Sequence, residues 1–372
     1  MRKSILIFGH GYATQFIDIS NQYTKLFDPV QFEVTVAYLT GEPDKKIKER
    51  HLAENVYFLN LSKQATRGLK IAAIRRMFLL QREKKFQIVI CHRYKPSYVM
   101  LWVARFCKIP VLFFVMHELK TLHSMPRRCL VAALMQKNMF FAGVSNAVRD
   151  DIRRDILGVP AERVITLYNM IDIELTEPTF LDRPMAREKL NLAKEDFVFG
   201  TLGRLVPAKD QDTMIKGFSL IKAQCPHAKL VIIGDGVLEK NLKEQIQQLH
   251  LEKDVILTGY IDQGFRLLKA FDVFVLTSVK EAFGRVLLEA MLAKVPVIAT
   301  KTNGIPEVVG NAGALIDAQD PAQLAKKMLA FYRMPNTEKT GWAEKGSQRV
   351  MQEFSMQRFY DIFWGWVGEK KI

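Results

Sequence analysis

The residues of this chain best suited to chemistry stand where short apolar runs give way to glycine. Gly203-Arg204 follows the run Val198–Leu202, and five residues after Arg204 comes Lys209, just before Asp210-Gln211-Asp212. Two cations of different reach at the carboxyl end of a strand suit a diphosphate, because open α/β sheets bind ligands there and Arg and Lys neutralise adjacent phosphates. The same two side chains also fit a pair of solvated surface ions. Glu281-Ala282-Phe283-Gly284-Arg285-Val286-Leu287-Leu288-Glu289 sets two carboxylates eight residues apart, one on a loop and one two turns into an apolar helix. Glu289 is costly to bury there unless it accepts hydrogen bonds. Ile232-Ile233-Gly234-Asp235-Gly236 and Thr258-Gly259-Tyr260 close two further runs. Near the start, Gly9-His10-Gly11-Tyr12-Ala13-Thr14 follows Ser4–Phe8, where backbone N–H groups can hold an anion or simply make a tight turn. This loop departs from G-x-G-x-x-G at Thr14, and the next strand ends at Tyr38-Leu39 without an acid for a ribose, which disfavours a nicotinamide dehydrogenase. Asp210-Gln211-Asp212, with Lys209 beside it to repel a metal ion, reads as a helix cap and first turn rather than a metal-binding D-x-D.

The elements that must position these residues alternate from end to end, short β-branched or aromatic runs with longer amphipathic segments, which is the pattern of parallel α/β units. A first series of strands is expected at Ser4–Phe8, Glu33–Tyr38, Val56–Leu59, Ile88–Cys91, Val111–Val115, Phe140–Val144 and Val164–Tyr168. A second is expected at Val198–Leu202, Leu230–Ile233, Val255–Leu257, Val273–Leu276, Val297–Ala299 and Ala314–Ile316. The 372 residues therefore divide into an N-terminal domain over 1–172, a charged, Pro-containing linker over 173–194, and a C-terminal domain over 195–352. The segment 353–372, with Phe354, Phe359, Tyr360, Phe363, Trp364 and Trp366, needs a surface for its aromatics to cover, most simply the first domain. With 49% hydrophobic and 25% charged residues the chain is an ordinary globular one, so disordered and collagen-like classes are excluded. The four cysteines have no C-x-x-C spacing, which argues against a zinc site or disulfide framework and fits a reduced cytosol. No apolar run is long enough for a signal peptide or a membrane span.

Charge is unevenly placed. Of the net +15, residues 1–175 carry 27 bases against 15 acids, and the stretch Lys45 to Lys137 holds 20 bases against 4 acids. Within it, the segment 70–85 puts Ile71, Ile74 and Phe78 on one helical face and bases mostly elsewhere. Such a helix can pack its apolar face on a sheet and turn its basic face to anionic lipid headgroups. Nucleic acid is disfavoured, since no recognition motif or aromatic stacking platform accompanies the charge.

On Gly203–Lys209 and the Glu281–Glu289 element the chain resembles the retaining glycosyltransferases of family four, and it does so over nearly its whole length. The resemblance implies the GT-B fold: two Rossmann-like domains facing across a cleft, with a C-terminal helix returning to the N-terminal domain. It implies that Arg204 and Lys209 hold a nucleotide-sugar diphosphate, with Gly11, Arg285 and Val286 contributing; that Glu281, Ala282, Phe283 and Gly284 contact the donor sugar; and that Glu289 accepts from the ribose hydroxyls. Physical chemistry agrees, since carboxylates suit neutral hydroxyls whereas N–H groups at a helix start suit sugar and phosphate oxygens. The resemblance also implies that base recognition falls on Thr258, Gly259 and Tyr260. His117, which taken alone fits a core or surface histidine equally well, matches the family's histidine near the transferred sugar and is expected, with Glu281, to be catalytic. Ser145-Asn146-Ala147 matches a family turn. The implied activity is retaining, metal-independent transfer of a hexose from a nucleotide sugar, a UDP-sugar favoured, to a lipid-linked or lipopolysaccharide-type glycan acceptor, with no cofactor. The protein is then expected in the cytoplasm, peripheral on an anionic membrane surface at the inner face of the cytoplasmic membrane. The alternatives are a sugar-nucleotide epimerase on the same fold and a non-catalytic nucleotide-sugar-binding protein.

Overall fold

The computed structural model describes residues 2–12 and 14–368, without the side chains of Thr14 and Gln15; Ala13 of the glycine loop and the last four residues of the segment 353–372 lie outside the described set. The chain forms two compact units, one of residues 1–168 with 359–372, the other of residues 169–358.

In the first unit seven strands run β1 (Lys3–Gly9), β2 (Phe32–Tyr38), β3 (Asn55–Phe58), β4 (Ile88–His92), β5 (Val111–Met116), β6 (Met139–Gly143) and β7 (Val164–Thr166), in the spatial order β3-β2-β1-β4-β5-β6-β7. In the second, β8 (Phe197–Leu202), β9 (Ala228–Ile233), β10 (Val255–Gly259), β11 (Val273–Leu276), β12 (Val297–Thr300) and β13 (Ala314–Ile316) lie in the order β10-β9-β8-β11-β12-β13. Every neighbouring pair is parallel. The central strands β4 and β5 are buried along their whole length, which is why they read as unbroken apolar runs rather than alternating ones. Both sheets reverse strand order once, between β1 and β4 and between β8 and β11, and the crevices for ligands open at the carboxyl ends there. In the second unit the helices Gln211–Lys222 and Pro321–Arg333 close the core, with Phe218, Ile221, Leu324 and Phe331 packed among Phe199, Leu230, Val273 and Ile298.

Three expectations are corrected. The stretch expected as a linker, 173–194, is part of the second unit and partly helical, because Arg187 is buried and tied down: its guanidinium donates to the carbonyls of Ala193, Lys194, Asp196 and Ala270 and pairs with Asp272 at 3.0 Å. The segment 353–372 is divided, since Phe354 belongs to the second unit, where its ring meets Phe283 at 5.6 Å and its carbonyl accepts from Ile171 N–H at 2.9 Å. From Phe359 onward the aromatics cover the first unit: Phe359 meets Tyr23 at 5.1 Å, Phe363 meets Phe113 at 5.4 Å, and Trp364 Nε1 donates to the Leu26 carbonyl at 3.0 Å. Finally, the helix Ile71–Lys84 buries Ala73, Met77 and Gln81 rather than the Ile71/Ile74/Phe78 face, and Ile71 is 69% exposed. Small Ala73 permits close approach, and Gln81 tolerates burial because its amide donates to the Phe86 carbonyl at 3.2 Å.

Candidate active site

In the second unit the site residues converge at the carboxyl end of the sheet. The loop after β8 is braced by that after β9: Gly203 N–H donates to the Ile233 carbonyl at 2.9 Å and Leu205 N–H to that of Asp235 at 2.7 Å. Gly234, at φ +139°, must be glycine, since a Cβ would stand 2.0 Å from the Gly203 carbonyl oxygen. The loop after β11 comes in from the other side, where the buried Thr277 hydroxyl hydrogen-bonds the carbonyls of Lys209 at 3.1 Å and Asp210 at 2.7 Å. Asp210 caps the helix Gln211–Lys222 by accepting from Thr213 N–H, as expected for a first turn. These braces bring the Lys209 ammonium into an ion pair with the Glu281 carboxylate, both side chains about four-fifths buried. Arg204, by contrast, is exposed, and its guanidinium has no hydrogen-bond or ionic partner among the described residues.

Glu281 is positioned by the loop after β12: its N–H donates to Asn303 Oδ1 at 3.3 Å and its carbonyl accepts from Gly304 N–H at 3.2 Å. Gly284, at φ +93°, turns the chain into the helix Arg285–Leu292. Leu287, Leu288, Ala290, Met291 and Leu292 are buried, leaving Arg285, Val286 and Glu289 half-buried on the remaining face, one turn apart. Ala282 is half-buried beside Glu281, while the Phe283 ring is buried and serves packing. Thr258, Gly259 and Tyr260 end β10 at the same edge; the Thr258 hydroxyl donates to the Gly259 carbonyl at 2.9 Å, and Tyr260 stands out to solvent.

In the first unit Gly11 lies against Thr40, whose hydroxyl donates to the His10 carbonyl at 2.8 Å, so the glycine loop is strapped to the end of β2. His117, just beyond β5, is half-buried, and its Nε2 is 2.9 Å from Nδ1 of His92, the last residue of β4. Sequence reasoning missed His92, although two adjacent strands each running out into a histidine is a signal that could have found it. Tyr23 packs edge-on against His92 at 4.6 Å, and burial, with Arg93 adjacent, pushes the His92 imidazole down to about 3. Its Nε2 is buried with no partner among the described residues. A lone pair is tolerated there better than an orphan N–H. The contact therefore fits a hydrogen bond in which His92 Nδ1–H donates to His117 Nε2 and the buried His92 Nε2 keeps its lone pair.

A pH dependence follows. His51, bonded to the Tyr38 hydroxyl at 3.1 Å, is likewise pushed down by burial, to about 4. In the unfolded chain both rings bind a proton near pH 6.5, so between roughly pH 4 and 6.5 the unfolded state holds more protons and stability falls as pH drops. The slope approaches about 1.4 kcal/mol per pH unit per histidine. Thermal unfolding between about pH 7 and 4.5 checks this: Tm should fall with acidity, and less steeply in His92→Phe; parallel slopes would contradict the burial argument.

Two parallel-sheet Rossmann-like units of this strand order, with cations and carboxylates at a switch point, define a GT-B enzyme. The chain matches the family models "Glycosyltransferase Family 4" over residues 24–175 and "Glycosyl transferases group 1" over residues 182–349. An uncharacterized glycosyltransferase of Methanocaldococcus jannaschii is 36% identical over 119 residues, 32% of this chain and 29% of that protein. The UDP-Gal:alpha-D-GlcNAc-diphosphoundecaprenol alpha-1,3-galactosyltransferase of Escherichia coli is 27% identical over 255 residues, 66% of each. The matched part spans 29%, 55% and 58% of the first three relatives' own length. In fold the chain resembles the crystal structure of Anabaena HepE in complex with UDP and glucose, with TM-score 0.79 and 21% identity over 98% of this chain and 99% of that one. The chain belongs to the family-four glycosyltransferases of GT-B fold.

Proposed function

We propose that the protein transfers a hexose, with retention of configuration and without a metal ion, from a UDP-sugar to a lipid-linked or lipopolysaccharide-type glycan at the inner face of the cytoplasmic membrane. The observation that carries this reading is the Lys209–Glu281 pair at the β8/β11 switch point, where a diphosphate cation and a sugar-hydroxyl acceptor meet. The ligands named for Anabaena HepE support a UDP-sugar, and the E. coli relative's name supports a lipid-diphosphate acceptor.

As the sugar leaves, negative charge builds on the departing diphosphate and positive charge on the anomeric carbon. Arg204 and Lys209 meet the first; the helix start at Arg285 and Val286 adds N–H donors. Glu281 accepts from sugar hydroxyls and holds Lys209 in place, while Glu289 accepts from the ribose and Thr258 to Tyr260 flank the base. The leaving phosphate oxygen takes the proton of the attacking acceptor hydroxyl on the same face, which yields retention without a carboxylate nucleophile. Incubating the protein with UDP-glucose, UDP-galactose and UDP-N-acetylglucosamine and lipid-linked acceptors, with and without EDTA, tests this. Transfer that persists in EDTA is expected. An isomerised nucleotide sugar would indicate the epimerase, and binding without turnover a non-catalytic protein.

For the membrane reading, no helix among the described residues is long and apolar enough to cross a bilayer. Leu69, Ile71 and Leu79 are exposed beside Arg75, Arg82 and Lys85, which combines apolar anchors with bases. Arg76 and Lys84 are partly committed, to the Leu59 carbonyl and to Glu33 at 3.6 Å. Binding to anionic vesicles should weaken steeply with salt and drop further when Arg75, Arg82 and Lys85 become Gln, each base contributing about 1 kcal/mol. Indifference of the wild type to anionic vesicles at low salt would remove the peripheral reading.

A further inference from the structure

At the carboxyl edge of the first sheet, around the start of the helix Tyr94–Val103, four cations gather with no ion-pair partner among the described residues. Lys70 Nζ stands 4.1 Å from the centroid of the Tyr98 ring and donates to the Gly68 carbonyl at 2.7 Å. The Arg127 guanidinium lies 4.4 Å from the Tyr94 ring, and its Nη1 donates to the Thr121 carbonyl at 2.6 Å. Tyr94 and Tyr98, one turn apart, have ring centroids 6.1 Å from each other. Lys95 lies between them in sequence, its Nζ 3.5 Å from the Thr66 hydroxyl, and Arg93 sets its guanidinium 4.6 Å from the Phe16 ring. None of the four makes an ion pair among the described residues.

Lys70, Lys95 and Arg127 are half-buried rather than splayed into solvent. Burial first, then Lys95 and Arg127, hold the Lys70 ammonium below its usual range, and burial, Lys95 and Arg93 do the same for the His10 imidazole. A surface that crowds like charges and withholds acids is relieved by a bound anion. The tyrosine faces fix Lys70 and Arg127, so little side-chain freedom is lost on binding. The first-turn N–H groups of Tyr94–Val103 add positive potential at the same place.

We propose that Lys70, Lys95 and Arg127, arrayed on Tyr94 and Tyr98, form a phosphoryl-binding site for the phosphate or diphosphate carried by the glycan acceptor. The word acceptor rests on the transferase reading; the anion site itself does not. The shared ligand chemistry is a phosphoryl group, whose source is either a lipid-diphosphate linkage or a phosphate monoester on the glycan.

The test is calorimetry on the full chain carrying Arg204→Ala, which removes the donor-side diphosphate contact, titrated with inorganic pyrophosphate and with orthophosphate at low salt. Pyrophosphate should bind, about tenfold more weakly after Lys70→Gln or Arg127→Gln and about a hundredfold more weakly after both with Lys95→Gln. The exposed control Lys45→Gln/Lys46→Gln should leave it unchanged. Preference for pyrophosphate assigns the lipid linkage, and equal or better orthophosphate binding the monoester; both support the site. Because the triple variant removes repulsion, its Tm without anion should rise, which separates lost binding from lost folding. Absence of pyrophosphate binding, or equal affinity in the triple variant and the control, overturns the proposal. UDP-glucose affinity of the chain with Arg204 restored tests the donor reading separately, and its failure leaves the first-unit site standing.

Discussion

Arg204→Ala is expected to lower kcat/KM for the nucleotide sugar about a hundredfold while leaving Tm within a degree or two, since a charge-assisted hydrogen bond to a phosphate is worth roughly 1.5–3 kcal/mol. The structure separates these two effects. The Arg204 side chain is exposed and makes no hydrogen bond or ion pair among the described residues, so nothing in the fold leans on it. The two bonds the residue receives, from Gln211 Nε2 at 3.1 Å and from Val206 N–H at 3.0 Å, go to its backbone carbonyl and survive the substitution. Lys209 is a poorer probe, because removing it also strands the Glu281 carboxylate, and a lost ion pair would be read together with lost donor contact. Glu289→Gln is the second arm. It keeps the shape of a half-buried side chain between Leu288 and Ala290 but weakens acceptance from ribose hydroxyls, and a loss of about tenfold is expected. Steady-state kinetics with UDP-glucose and unfolding curves on the same preparations decide the matter. Near-wild-type donor kinetics in both variants would sink the donor assignment, and a collapsed Tm in Arg204→Ala would show the residue to be structural instead.

The fold was legible in the sequence because parallel strands covered on both faces must be continuous apolar runs, and all thirteen of the expected runs overlap a strand. The convergence of the candidate donor residues at one sheet edge was legible for a related reason. Ligand loops of such sheets follow strand ends, so Gly203, Lys209 and Glu281 could be placed without knowing the packing. What stayed hidden required register or three-dimensional neighbours. His92 and His117 are 25 residues apart, and only the pairing of β4 with β5, His92 opposite Val115, brings their rings together. Arg187 reads as one charge in a charged linker, yet its guanidinium makes five hydrogen bonds, three to a nearby turn and two to Ala270 and Asp272 far along the chain. The helix Ile71–Lys84 offered two faces at the same period, and hydropathy favoured Ile71/Ile74/Phe78, but the sheet side needed the compact Ala73 and a Gln81 whose carbonyl partners are invisible in sequence.

His117→Ala is expected to reduce kcat about a hundredfold with little change in donor affinity, because a group acting on the transferring sugar contributes mainly in the transition state. The His92 contact makes this prediction sharper than a single alanine substitution. If His92 Nδ1–H holds His117 in one tautomer and orientation, His92 is a positioning residue and its loss should appear in turnover without touching substrate binding. His92→Phe fills the same space beside Tyr23 but cannot donate, and a fall in kcat of about tenfold is expected, since a misdirected imidazole retains part of its effect. His92→Asn places an amide donor close to the lost Nδ1 and should recover much of that loss. A merely structural role would instead make Asn the worse variant, because it leaves a void in the packing against Tyr23 and a buried amide in place of a ring. The order of kcat values, wild type above Asn above Phe, with an unchanged Kd for UDP-glucose, therefore supports His92 acting through His117. Phe equal to or above Asn would place His92 among the packing residues, and unchanged turnover in a folded His117→Ala would remove the first-unit histidines from the reaction altogether.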